Sequence, residues 1–169
     1  MAKSITIGVI GLGRMGGPLA RRLLRQKLPL MVWDSVADCR KPFENRKNVC
    51  VATPAAMAHA CMVVFFVVPS SKEITVCLKG ADGMLVNARK GLVLCDLTTS
   101  DPVDTRRLAK QAATRGIHYL DAGMSGGPAG ITEGSLALMV GGDAKVLKRI
   151  QPVLYAFAKN VFYLGASGS

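Results

Sequence analysis

Gly11, Gly13 and Gly16 stand in the spacing G-x-G-x-x-G, after the apolar run Ile5, Ile7, Val9 and Ile10 and beside the periodic residues Met15, Leu19, Ala20, Leu23 and Leu24. A β-branched run followed by a 3.6-residue period predicts a buried strand that turns on glycine into a helix. Each glycine meets a geometric need: Gly11 the tight turn, Gly13 the close approach of backbone to a pyrophosphate, Gly16 the packing of helix on strand. The helix start, with free N–H groups and a positive dipole end, would face the phosphates. The strand Leu30–Trp33 then ends in Asp34, about 20 residues past the loop, where an acid can accept hydrogen bonds from ribose hydroxyls. Asp34 could also cap the segment that follows. Together these residues predict a dinucleotide site with Gly11, Leu12, Gly13, Arg14, Met15, Gly16 and Asp34 as cofactor-binding positions.

A second stretch with chemistry in it runs from Asp121 to Gly134 and holds five glycines and one serine, Ser125. Such a loop, rich in free backbone N–H groups, would suit an anion such as a carboxylate. A flexible crossover would have the same composition, and residue types alone do not choose between the two. Val68 and Pro69 end the apolar run from Met62 and are cofactor candidates by position, because carboxyl ends of strands face the ligand crevice of open α/β sheets. Pro69 could equally do no more than stop the strand.

Strands and helices alternate along the chain. Strands are predicted at Val49–Val51, Met62–Val68, Leu92–Cys95, Ile117–Leu120, Ser135–Val140 and Val161–Leu164. Helices are predicted from Thr53-Pro54 to Ala60, over Glu73–Leu78, from Pro102 to about Arg115 and from Asp143 to about Phe157. Cys39 to Lys47 reads as a short helix and loop. This alternation implies an α/β fold, a Rossmann-type doubly wound, mostly parallel sheet with extra C-terminal strands. At 169 residues the chain suits one dinucleotide-binding domain, 1–169, with a core of its own.

The five cysteines are widely spaced and form no C-x-x-C pair, which fits reduced thiols rather than disulfides or zinc. None is patterned with His59 or His118 as a nucleophile. No metal site and no catalytic residue are assigned. The longest apolar run, Cys61–Val68, is too short to cross a bilayer, and the start of the chain runs straight into a strand, so an intracellular, cytoplasmic protein is expected. The net charge of +11 raises nucleic acid as a partner, with Arg21, Arg22 and Arg25 as the contacts. The cations are spread over most helices and aromatics are few, which favours a solvated, helix-stabilising role near the end of the first helix.

The chain resembles the β-hydroxyacid dehydrogenase family, 3-hydroxyisobutyrate dehydrogenase-like, in its N-terminal NAD(P)-binding domain. The resemblance rests on Ile7-Gly-Val-Ile-Gly-Leu-Gly-Arg-Met-Gly16, on Asp121-Ala-Gly-Met-Ser-Gly-Gly127 with Gly134-Ser-Leu136, and on Met139-Val-Gly-Gly142. It implies that Gly11 to Gly16 cradle the pyrophosphate, that Val68, Pro69 and Thr99 border the nicotinamide, and that Ser125, Gly126 and Gly127 hold the carboxylate of a small substrate. It further implies hydride transfer between NAD(P) and a small β-hydroxyacid or its semialdehyde, with a lysine beyond Ser169 moving the hydroxyl proton. Lys159 does not match that position, and a C-terminal helical domain is expected beyond this chain, so the chain alone is expected to be inactive. Surface left bare by that domain would favour a homo-oligomer. Asp34 favours NAD, since its carboxylate would repel a 2′-phosphate, while Arg40 and Lys41 nearby keep NADP open. The competing reading is a non-catalytic dinucleotide-binding module used for sensing or assembly.

Overall fold

β-Branched and aromatic residues on alternating faces of the central strands dictate the layout, because a strand flanked on both sides must bury both faces. The computed structural model describes residues 6–169; Ile5, expected in the first strand, lies outside them. β1 (Ile7–Ile10), β2 (Leu30–Trp33), β3 (Val49–Val51), β4 (Val63–Phe66), β5 (Val93–Asp96), β6 (His118–Ser125), β7 (Leu136–Gly142) and β8 (Ala158–Gly165) form one sheet in the order β3-β2-β1-β4-β5-β6-β7-β8. All neighbours run parallel except β6 and β7, which pair antiparallel from Leu120↔Gly142 to Ser125↔Ala137.

Helices cover both faces, as the doubly wound reading requires. α1 (Gly16–Arg25), α7 (Gly127–Glu133) and α8 (Ala144–Leu154) bury Leu19, Leu23, Ile131 and Ile150 against Val9, Phe65 and Cys95 on one face. α3 (Pro54–Ala60), α4 (Ser71–Leu78), α5 (Met84–Asn87) and α6 (Pro102–Ala113) bury Met57, Ile74, Met84 and Leu108 against Val64, Phe66 and Leu94 on the other. α2 (Ala37–Arg40) and a 3₁₀ turn (Lys41–Phe43) connect β2 to β3, placing Phe43 in the first core. Phe65 and Phe157, both fully buried, meet edge to face at 5.5 Å and 87°. Arg22 ties the α1 layer together, its Nε donating to the Ala156 carbonyl at 2.8 Å. No helix among the described residues is long and apolar enough to cross a membrane.

Two expectations need correction. The glycine-rich stretch 121–134 is not a loop: β6 continues to Ser125, and α7 begins at Gly127. Antiparallel pairing with β7 satisfies the backbone along this stretch, so tertiary hydrogen bonds override glycine's low strand preference. The last strand is also twice as long as expected, because β8 follows β7 as a parallel partner from Ala158 to Gly165.

One buried polar group stands at the carboxyl end of β5. Asp96, 1% exposed, accepts hydrogen bonds from the Tyr119 hydroxyl at 2.8 Å and from the Thr98 N–H at 2.8 Å. Burial pushes its carboxyl above the usual range, while the hydrogen bonds from Tyr119 and Thr98 oppose that rise. Because the folded value lies above the unfolded one, Asp96 favours the fold most when protonated. That contribution is complete below the ordinary carboxylate value of about 4 and is lost as pH rises through the elevated one.

Replacing Phe65 by Ala should lower unfolding free energy by about 3–5 kcal/mol in denaturant titrations, through the lost ring and the cavity it leaves. Tyr119→Phe removes a donor from a buried carboxylate and should cost about 1–3 kcal/mol. Losing that donor raises the Asp96 carboxyl further, so the same titration should show a larger penalty at pH 8 than at pH 4.

Candidate functional site

The carboxyl ends of β1, β2, β4, β5 and β6 open onto one cleft of about 1300 Å³, at the point where the strand order reverses between β1 and β4. This is the crevice in which open α/β sheets hold ligands. Its lining includes Gly11, Gly13, Arg14, Met15, Asp34, Val68, Pro69 and Thr99. Leu12 and Gly16 are buried beneath it.

The glycine turn is built from inside. Gly11, at φ +92°, has no room for a side chain, since a Cβ would collide with the Val67 carbonyl. A Cβ on Gly16 would collide with the Gly11 carbonyl oxygen, so that contact sets how closely α1 sits on the end of β1. Gly13 differs: a Cβ there meets nothing within 4 Å and would project into open space. Two of the three glycines thus serve packing, and the third keeps the backbone bare on the cleft side.

Side-chain oxygens cap α3, α4, α6 and α8 through Thr53, Ser70, Asp101 and Asp143. α1 has no side-chain cap. Among the described residues, no protein acceptor takes the N–H groups of Gly13, Arg14, Met15 or Gly16. A helix start with orphan donors and a positive dipole end facing a cleft is an anion seat.

Asp34 borders that seat. Its Oδ2 accepts the Leu12 N–H at 2.6 Å and its Oδ1 accepts the Val36 N–H at 2.8 Å. The carboxylate is therefore held against the glycine turn, with lone pairs left over for further donors. The capping role weighed for it in the sequence is not met as such: the N-cap of α2 is Val36, without a side-chain cap, and Asp34 instead holds the Val36 N–H just ahead of that helix.

On the opposite wall, Thr98 accepts the Val68 N–H at 3.4 Å through Oγ1 while its own N–H binds Asp96. Thr99 is exposed and lines the cleft beside it. The far wall is β6, from Asp121 to Met124. Ser125, Gly126 and Gly127 lie one step past this wall, where β6 ends and α7 begins. α7 also lacks a side-chain cap, and Gly126 precedes it at φ +122°. α7 and α1 pack together on the same face of the sheet, so both glycine-rich turns belong to one side of the molecule.

Sequence reasoning missed several lining residues, among them Trp33, Cys39, Lys72 and Asp121. Position was the available signal for Trp33, the last residue of β2, whereas Asp121 lies within β6, whose continuation to Ser125 the sequence did not show. Both oxygens of Asp121 accept from the Gly168 N–H, at 3.1 and 3.2 Å, and burial pushes its carboxyl upward. Burial likewise pushes the Cys77 thiol up to about 11, which keeps this cleft cysteine protonated and poorly nucleophilic. No cluster of metal-ligating side chains occurs among the described residues.

The family model of the NAD binding domain of 6-phosphogluconate dehydrogenase matches residues 6–165. Mitochondrial 3-hydroxyisobutyrate dehydrogenase of Rattus norvegicus is 35% identical over 169 residues, covering 100% of this chain and 50% of the relative. Among solved structures, Mycobacterium tuberculosis 3-hydroxyisobutyrate dehydrogenase with L-serine superposes with a TM-score of 0.87 at 32% identity, over 97% of this chain and 55% of that one. Psf3 in complex with NADP+ and 2-OPP superposes with a TM-score of 0.90 at 29% identity, over 96% and 58%. The chain spans about half the length of the curated relatives it matches. The chain thus belongs to the family of the NAD-binding domain of 6-phosphogluconate dehydrogenase, which the β-hydroxyacid dehydrogenases share.

Proposed function

We propose that residues 1–169 form the cofactor-binding domain of an oxidoreductase that moves a hydride between NAD(P) and a small β-hydroxyacid or its semialdehyde. The observation that carries this reading is the uncapped start of α1, with unpartnered N–H groups beside Gly13 and no side chain in the way. That arrangement fits a diphosphate cradled by Gly11 to Gly16: its oxygens would take hydrogen bonds from the N–H groups of Gly13 to Gly16, while Gly11 and Leu12, whose own N–H groups bind the Trp33 carbonyl and Asp34, would shape the turn. Asp34 would accept from the adenosine ribose hydroxyls. Val68, Pro69 and Thr99 would border the nicotinamide, the group that supplies or receives the hydride.

The hydride acceptor carbon must be presented to that wall with its carboxylate fixed. We assign this to Ser125, Gly126 and Gly127, at the second uncapped helix start. Negative charge grows on the carbonyl oxygen as hydride arrives, so a donor has to stand nearby. We assign proton transfer to a lysine beyond Ser169, and no residue of this chain takes that role. The relatives named for 3-hydroxyisobutyrate dehydrogenase support the substrate class.

The test is calorimetric titration of this chain with NAD and NADP, followed by assay of the full-length gene product on small semialdehydes. Binding by the chain, with turnover only in the longer protein, is the expected pair of results. Gly13→Val should weaken cofactor binding by at least about 30-fold, the equivalent of one lost charge-assisted hydrogen bond, while unfolding stays close to wild type. No binding of either nucleotide, or Gly13→Val binding as well as wild type, would overturn the reading.

A further inference from the structure

Trp33 is the single tryptophan of the chain and forms part of the cleft wall, immediately before Asp34. Arg40, on the last turn of α2, lays its guanidinium over the Trp33 ring at 4.5 Å from the centroid. From there Nη1 donates to the Asp34 carbonyl at 2.7 Å. Arg40 itself is not part of the cleft wall. The next cation, Lys41, pairs with Asp38 at 2.7 Å. Both cations that the sequence offered as receivers of a 2′-phosphate are thus engaged elsewhere.

Three groups are fixed in relation to one another by this contact. The Arg40 face is spent on the indole, one of its N–H groups on the Asp34 backbone, and the Asp34 carboxylate on the amides of Leu12 and Val36. A planar guanidinium can stack and donate at once, which an ammonium on a flexible stem cannot reproduce. The cation–π contact and the charge-assisted hydrogen bond each hold the other in register.

Resting on the proposed cofactor site, we propose that Arg40 is a specificity-determining positioning residue: stacked on Trp33 and bonded to the Asp34 carbonyl, it fixes Asp34 as the acceptor for an unmodified ribose and is withheld from any 2′-phosphate. The chain therefore selects NAD over NADP, and Arg40 contributes to that choice without touching the nucleotide. A guanidinium facing the cleft would do the reverse and draw the phosphate in.

Titration of wild type, Arg40→Ala and Arg40→Lys with NAD and with NADP, each by calorimetry and by Trp33 fluorescence, separates these cases. Wild type should prefer NAD by at least about tenfold, from repulsion between a phosphate and the Asp34 carboxylate. Arg40→Ala should weaken NAD about fivefold and leave NADP within about twofold, narrowing the preference, with Arg40→Lys behaving like Ala. Trp33 emission of the free protein should shift in both variants. If Arg40→Ala weakens NADP more than NAD and Arg40→Lys restores it, the guanidinium is a phosphate ligand and the proposal falls. Equal weakening of both cofactors also overturns it, leaving Arg40 a purely structural role. Wild type that binds neither nucleotide would instead remove the cofactor reading on which the proposal stands.

Discussion

The contact between Gly16 and the carbonyl of Gly11 governs the geometry of this molecule. Because no side chain separates them, the first turn of α1 closes directly on the end of β1. Its N–H groups then emerge at the mouth of the cleft instead of inside the helix layer. Any larger residue at either position would push the helix away from the strand and carry the donors with it. The Gly11 N–H, bound to the Trp33 carbonyl at 2.8 Å, and the Leu12 N–H, bound to Asp34, join the same turn to β2. The glycine turn, the end of β2 and Asp34 are thus parts of one short hydrogen-bonded unit.

Leaving α1 without a side-chain cap has a cost, since orphan donors at a helix start weaken it unless something accepts from them. Four other helices spend a threonine, a serine or an aspartate on their first turn. The two that do not, among those of seven residues or more, are α1 and α7, the two that follow glycine-rich turns. The opposite wall is stiffened differently. There a buried carboxylate, Asp96, fixes Thr98, and Thr98 in turn holds the Val68 amide. Asp121 similarly anchors the turn at Gly168 through its backbone N–H. The cleft thus combines hydrogen-bonded walls with an α1 start whose donors are left free.

Much of this was legible in the sequence where the pattern is local. The run Ile7 to Ile10, the glycine spacing and Asp34 specified strand, turn, helix and acid without help from distant residues, and Thr53-Pro54 marked the start of α3 correctly. Pairing between distant segments was not legible. The stretch 121–125 reads as loop by composition because its strand character comes from β7, and the full length of β8 comes from the same partner. α5 was missed because four residues are too few to show a period. Trp33 and Arg40 were hidden for a related reason: their stacking depends on how the short α2 turns the chain back onto β2. Cores follow from periodicity, whereas contacts between one element's end and the next follow from the fold.

The most direct test of the central claim is to record backbone amide resonances of isotopically labelled protein while NAD is added. If the α1 start is the diphosphate seat, the N–H signals of Gly13, Arg14, Met15 and Gly16 shift most, and those at the capped starts of α4, α6 and α8 stay in place. Shifts confined to other helices, or none at the glycine turn, would contradict it.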